Sequence, residues 1–374
     1  MSGPLSNHPS GLGHRWRARL FLSAGLVLSV ALVASFCTNI PSGQATKTAK
    51  WAFSRQLMGA NAVVGCVAWA PDGKMIAFER TLGIGSKEHA HIYVVRSSGG
   101  TPRQVTFGPG NDDCPVVWSP NGKKIAYLHT NDHWRVEHIF TTSVSGGSPL
   151  RVTNGHDEES PAWSPDGRKI VYVENISTTL SRVFIAPASG GAPTPITKNN
   201  GYHLPVDPSW SPDSSKIAYT DLVTKSGDFH IDIRILSASG SPLVTYRNAD
   251  HPAWSPNGKK IVYIITGSQN SPVLVRPALG GAATRIASQG DNGDPSWAPD
   301  GKEVVFWRDN TGPFGSVFVV SAAGGHAVRL PNPPLSGLGA EHPAWSPKGP
   351  NEIAYLGDKG LLNGRGIYID IRRG

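Results

Sequence analysis

From Trp51 onward the chain breaks into short runs in which apolar and polar side chains alternate, each bounded by Gly, Pro, Asn, Asp or Ser. "KIVYVE", residues 169–174, and "VFIAPA", residues 183–188, are typical. A period of two is the signature of a strand with two unlike faces, and no long stretch keeps the spacing of an amphipathic helix. The pattern therefore predicts an all-β chain of many short strands.

One stretch recurs seven times, as in "VVWSPNGKKIAY" from Val116, "PAWSPDGRKIVY" from Pro161 and "PSWAPDGKEVVF" from Pro295. Its tryptophans, Trp69, Trp118, Trp163, Trp210, Trp254, Trp297 and Trp345, are spaced by 49, 45, 47, 44, 43 and 48 residues, the period of a four-stranded propeller blade. In each copy a first strand ends in the Trp, a Pro-Asp-Gly type turn follows, and the alternating run makes the second strand. Third strands such as "IYVVRS" and "VFVVSA" follow a variable loop. A Gly- or Ser-rich turn then leads to a fourth, such as "RQVTFG" or "VRLPNP". The seventh copy lacks this fourth strand, whereas "SRQLMG", residues 54–59, resembles "PRQVTFG" and precedes the first Trp. The expected fold is thus a seven-bladed β-propeller of antiparallel four-stranded blades, closed by an N-terminal strand that completes the last blade. It would occupy residues 46–374.

Residues 1–45 read differently. Arg15, Arg17 and Arg19 precede an uncharged apolar run from Leu20 to Phe36, the pattern of a signal peptide or a membrane anchor through residues 20–36, with cleavage candidates after Ser35 and Ala45. The expected location is extracytoplasmic, in the periplasm or at the cell exterior. Without the three leader arginines the formal charge falls from +8 to +5, too little and too dispersed for a nucleic-acid partner. Three cysteines exclude a disulfide scaffold. Cys66 and Cys114 lie at matching places before successive tryptophans, where two buried free thiols are expected and a disulfide is the alternative.

The run "P-x-W-S-P-D-G-x-x-I-A-Y" resembles the WD40-like propeller repeats of the TolB family, over about Trp51 to Gly374. That resemblance implies an exported, non-enzymatic propeller acting in envelope assemblies, although TolB propellers have six blades behind an α/β domain. The repeat is also similar to the gating propellers of prolyl-oligopeptidase-like enzymes, but the chain contains no G-x-S-x-G nucleophile elbow. Oligogalacturonate lyases carry such repeats too, with a metal held by histidines, and on that resemblance His203, His251 and His342 would be ligands.

The motif itself reads as architecture. Its turn carboxylate, Asp72, Asp166, Asp213 or Asp300, is replaced by Asn121, Asn257 and Lys348 in the other copies, which a turn tolerates and a catalytic acid does not. In an antiparallel blade the connections between second and third strands share one face with those between blades, and these loops differ in every copy. Candidate contact residues on that face are His133, Trp134, Arg135, Phe229, His230, Phe314 and Arg365. The same face collects Asp113, Glu159, Asp207, Asp250, Asp294 and Glu341 just before the first strands, at the channel mouth. They are expected to cap turns, with a ligand or divalent-cation site as the alternative. The favoured function is binding of an envelope protein or cell-wall polymer without cofactor or catalysis. The competing one is a metal-dependent polysaccharide lyase.

Overall fold

A computed structural model describes residues 50–58, 63–83, 89–130, 136–177, 179–198, 201–225, 228–267, 270–309, 315–331, 340–358 and 365–373. The leader, its apolar run and its cleavage candidates lie outside these residues. Among the described residues no helix is long and apolar enough to cross a membrane.

Seven four-stranded antiparallel sheets form the blades. The first strands of blades 1 to 7 are Val63–Trp69, Asn111–Trp118, Asp157–Trp163, His203–Trp210, Ala249–Trp254, Asp291–Trp297 and Ala340–Trp345. Each touches the first strands of both neighbouring blades, so the seven form a closed inner ring around the channel. In blade 7 the N-terminal strand Lys50–Gln56 pairs antiparallel with the last strand, Arg365–Arg373. The predicted likeness holds residue by residue, because Gln56 pairs with Tyr368 as Gln104 pairs with Tyr93. The strand starts four residues earlier than "SRQLMG" suggests, adding "KWAF" to the ladder.

The repeat sequence follows from burial on both faces of a blade. Seven apolar clusters each join two neighbouring blades. In "KIAY", Ile125 and Tyr127 pack towards blade 1 and Ala126 towards blade 3. The alternation is thus large against the preceding blade and small against the next. Each fully buried Ile or Tyr of this kind contributes about 1.5–3 kcal/mol. The motif tryptophans add a directed contact: their indole N–H donates to a carbonyl of the preceding blade, Trp118 to Ala68 at 3.0 Å and Trp297 to Ala253 at 3.0 Å. Trp69 donates to Ala344 at 3.1 Å and so spans the joint between blades 1 and 7. Trp163 is the exception, with its buried N–H unpaired.

The turn after each Trp is held by its own side chains. Asp166 Oδ1 accepts from Ser164 Oγ at 2.5 Å and from Arg168 N at 3.0 Å, and Asn121 Oδ1 accepts the same pair of donors in blade 2. An amide oxygen does this as well as a carboxylate, which explains the interchange of Asp and Asn. Several fourth strands are shorter than the alternation suggests, only Arg103–Gln104 in blade 1 and Val328–Arg329 in blade 6. After two ladder pairs a threonine side chain takes over: Thr106 Oγ1 accepts from Ile92 N at 2.9 Å, and Thr153 Oγ1 from Ile139 N at 3.0 Å.

The cysteines differ from expectation. Cys66 and Cys114 are joined as a disulfide, with Cα atoms 6.0 Å apart. Free thiols were expected because matching sequence positions do not give the distance between two strands. A bulge in each strand supplies it.

Candidate functional site

Every first strand breaks register at the same height, with one extra residue in six blades and two in blade 2: between Val64 and Val67, Asp113 and Val117, Glu159 and Ala162, Val206 and Ser209, Asp250 and Ala253, Gly293 and Ser296, and Glu341 and Ala344. In five blades the bulged residue precedes the motif Pro and has left-handed φ: Ser160 (52°), Asp207 (51°), His251 (54°), Asp294 (47°) and His342 (51°). Such a conformation costs about 1–3 kcal/mol in a non-glycine residue, and a bulge re-aims its side chain. Here the re-aimed side chains reach one another from blade to blade. Ser160 Oγ donates to Asp207 Oδ1 at 3.1 Å. His251 Nε2 and His342 Nδ1 flank Asp294 at 3.3 and 3.1 Å. Cys66 and Cys114 occupy the bulges of blades 1 and 2, so the disulfide is the covalent member of the same set.

The six sequence-singled carboxylates therefore fall into two registers. Asp207 and Asp294 are bulge residues, whereas Asp113, Glu159, Asp250 and Glu341 each come one residue before the bulge. Asp113 Oδ1 accepts the N–H of Cys114 at 2.7 Å, and Asp250 Oδ1 accepts that of His251 at 2.7 Å together with Thr220 Oγ1 at 2.8 Å. Glu159 Oε1 accepts from Asn175 Nδ2 at 3.2 Å. Glu341 pairs with Leu356 in the ladder, and its side chain lies outside the described residues.

Blade 1 has no carboxylate in this part of its sequence, and Gly65 explains how it gains one. A Cβ there would stand 1.8 Å from Glu79 Oε2. The missing side chain makes room for Glu79, which reaches over from the second strand and is buried. Glu79, Asp113 and Cys114 are the described residues whose donor atoms all lie within 4.8 Å of one another as a metal site would require. The Cys114 sulfur is committed to the disulfide, leaving the two carboxylates. Glu79 escaped sequence reasoning because it lies within "MIAFER", a second strand; the signal was a charge where the other copies carry an apolar residue or Thr.

His203, His251 and His342 do not converge. His203 Nδ1 lies 2.8 Å from Asp221 Oδ2, and Arg234 Nε lies 2.5 Å from the same oxygen. Burial raises the pKa of Asp221 above the ordinary carboxylate value, against the pull of Arg234 and His203. In blades 1 and 2 the balance is reversed. Burial also works against the Asp112 charge, but hydrogen bonds from His129 at 2.7 Å and His91 at 2.9 Å hold its pKa below the usual value. His138 bonds the buried Glu158 at 2.9 Å in blade 3. The His91–Asp112 and His138–Glu158 pairs tie neighbouring blades together, whereas His129–Asp112 and His203–Asp221 lie within one blade; all were missed because the partners stand on different strands, 17 to 21 residues apart in sequence.

On the variable face, Phe229 is 48% exposed and Tyr202 45% exposed. They flank Thr224, which pairs with Phe229 and donates its N–H to the Tyr202 carbonyl at 2.9 Å. His230 Nε2 lies 3.5 Å from Asp232 Oδ2. Arg365 opens the last strand, with its side chain outside the described residues. His133, Trp134, Arg135 and Phe314 also lie outside them.

The class is thus a closed seven-bladed propeller with a braced polar channel, uniform turns on one face and unlike loops on the other. The chain belongs to the TolB beta propeller domain family, whose model matches residues 48–205 and 199–364. Curated protein sequences give no match. Among solved structures the chain is similar to an oligogalacturonate lyase in complex with manganese, at 13% identity and a TM-score of 0.68, covering 87% of this chain and 96% of that one. It is also similar to an oligogalacturonate lyase from Vibrio parahaemolyticus, at 13% identity and a TM-score of 0.63 over 84% and 92%. A third is the β-propeller domain of the Trilobed protease from Pyrococcus furiosus, described as having an open velcro topology, at 14% identity and a TM-score of 0.59 over 83% and 94%. At these identities the likeness is one of fold.

Proposed function

We propose that the chain is an exported, non-catalytic propeller that binds a protein or a cell-envelope polymer through its variable face. The observation that carries this reading is the contrast between the channel and the loops. The acids and histidines of the channel wall are engaged with one another across blade joints, whereas the variable face presents two exposed aromatic rings, Phe229 on the long blade 4 hairpin, Lys216–Lys225 and Asp228–Ser237, and Tyr202 beside it in the connection between blades. Exposed Tyr and Phe on a rigid scaffold are suited to anchor a partner. Export follows from the Arg-led apolar leader, and the mode of action needs no cofactor. The competing lyase reading draws no support from the geometry, because His203 is tied to Asp221 and Arg234 while His251 and His342 share Asp294.

The test is capture from a detergent extract of the envelope on immobilised protein. Replacing Tyr202 and Phe229 together by Ala, or residues 131–135 by a Gly-Ser linker, is expected to cut the recovered partner at least tenfold. Lys123→Ala with Lys259→Ala, on the uniform turns, is expected to change nothing. Capture indifferent to the variable face, or abolished by the turn substitutions, contradicts the reading.

A further inference from the structure

Arg308 is a buried cation without an acid. It stands next to last in the second strand of blade 6, Glu303–Asp309, at the end that meets the variable face, and is 7% exposed. Its Nε donates to Asn292 Oδ1 at 2.8 Å, and its guanidinium lies 4.4 and 5.2 Å from the ring centres of Phe318 and Phe306. Burial pulls its pKa below the ordinary arginine value, yet a guanidinium stays protonated in proteins. Among the described residues no carboxylate pairs with it.

The other blades show what is missing. Opposite Arg308 in the ladder is Asn292, one place before the last paired residue ahead of the bulge. At the same place in blade 2, Asp112 faces His129 and lies 2.7 Å from its Nδ1, and in blade 3 Glu158 takes His138 of blade 2 at 2.9 Å. Blade 6 has the base, but an amide where blades 2 and 3 have an acid. Blade 5 offers no substitute, since Ala249 and Ile265 occupy this row. Asp291 and Asp309, the adjacent acids in sequence, form their own ladder pair on the opposite side of the sheet.

The geometry aims the unused part of the side chain. Asn292 is held by its Nδ2, which donates to the carbonyls of Ser271, Gln289 and Gly290, so its oxygen fixes the Nε side of the guanidinium. Nη1 and Nη2 have no hydrogen bond among the described residues. Unlike Arg80 Nε and Arg276 Nε, which are buried and unpaired, these two nitrogens are reached by solvent. The phenyl faces offset part of the lost hydration, but a buried charge is ordinarily paired as well.

We propose that Arg308 receives the carboxylate of an acidic side chain on a protein that docks on the variable face, in a two-point pair with Nη1 and Nη2 at the joint between blades 5 and 6. This deepens the loop-face reading and rests on it. The planar pair of N–H groups matches the two oxygens of a carboxylate. With no second cation acting on Arg308, a monoanion balances its charge, whereas the further charge of a phosphate would go unmet. The approach is narrow: a Cβ at Gly290 would stand 3.0 Å from Arg308 Cγ, so the backbone of the connection between blades lies against the arginine stem. A carboxylate on one or two methylenes, as in Asp or Glu, suits such an edge. A uronate carboxylate is joined directly to its sugar ring and brings that bulk with it.

Saturation-transfer NMR of the purified full chain tests this with propionate, the analogue of a glutamate side chain, beside propionamide, D-glucuronate and methyl phosphate. Propionate is expected to bind saturably and at least tenfold more tightly than the other three. Arg308→Met keeps the stem and removes the charge, and is expected to abolish the signal; Arg308→Lys keeps the charge without the fork, and is expected to weaken binding several-fold. Should Arg308→Met fail to fold, the contrast between propionate and its neutral isostere propionamide on the unaltered chain still decides. In envelope capture, Arg308→Met is expected to cut the recovered partner at least tenfold. No saturable propionate signal, equal affinity for propionamide or glucuronate, tighter binding of methyl phosphate, or affinity unchanged in Arg308→Met overturns the proposal. Capture lost on replacing Tyr202 and Phe229 but kept in Arg308→Met also overturns it and leaves the loop-face reading intact. Capture indifferent to the whole variable face contradicts that reading, and this proposal falls with it.

Discussion

The motif tryptophan separates burial from directed bonding within one molecule. Trp210 donates to Ala162 O at 3.2 Å, while the equally buried Trp163 has no acceptor for its N–H. Replacing Trp210 by Phe leaves a carbonyl of the preceding blade without its donor. Trp163→Phe removes an N–H that was already unpaired. Chemical denaturation is expected to find Trp210→Phe less stable than Trp163→Phe by about 1–2 kcal/mol; equal losses would show that the indole contributes only volume. The Trp was legible as packing from the sequence because seven copies share it. Its hydrogen-bond acceptor was not, since Ala162 and Trp210 are 48 residues apart and only the packing of blade 4 against blade 3 brings them together. The same limit hid the Gly65 and Glu79 arrangement, in which a residue without a side chain is the sign of a charge arriving from the next strand.

Blade joints set the element scale, and the joint that closes the ring carries an unusual charge. Asp370 is fully buried in the last strand, opposite Phe53 of the closing strand, with Tyr355 donating to its Oδ1 at 3.3 Å and its Oδ2 unpaired. Burial pushes its pKa up from 3.8 to about 7, against the Tyr355 hydrogen bond. The unfolded carboxyl titrates near 3.8, so between about pH 4 and pH 7 the folded state holds more protons and stability falls as pH rises, by on the order of 4 kcal/mol in all. Asp370→Asn should therefore raise Tm at pH 8 and leave it nearly unchanged at pH 4; a Tm gain that is the same at both values would contradict the buried charge. The disulfide between blades 1 and 2 makes a second joint. Reduction, or Cys66→Ser with Cys114→Ser, is expected to lower stability by about 2–4 kcal/mol, as an unfolding curve with and without reductant would show. Strand number and the closing strand were legible in the alternation and in the "RQ" likeness. Bulges were not, because an extra residue leaves no mark in a period of two until register is known.

For the whole molecule, a ring of like blades divides labour between its faces. The uniform turns and the braced channel hold the scaffold, and the unlike loops are free to differ because little of the inter-blade packing depends on them. Seven blades and their order could be read directly from the Trp spacing. The candidate residues were legible only as a region: the carboxylates ahead of the first strands could be singled out, but their two registers and the different partners of His203, His251 and His342 required three dimensions. The claim that one face does the binding is tested most directly by hydrogen–deuterium exchange on the chain with and without its captured partner. The account predicts slower exchange confined to the connections between second and third strands and between blades, with residues 201–203 and 224–230 among the most protected. Protection centred on the turns at Asp72, Asn121, Asp166 and their counterparts, with the variable loops unchanged, would contradict it.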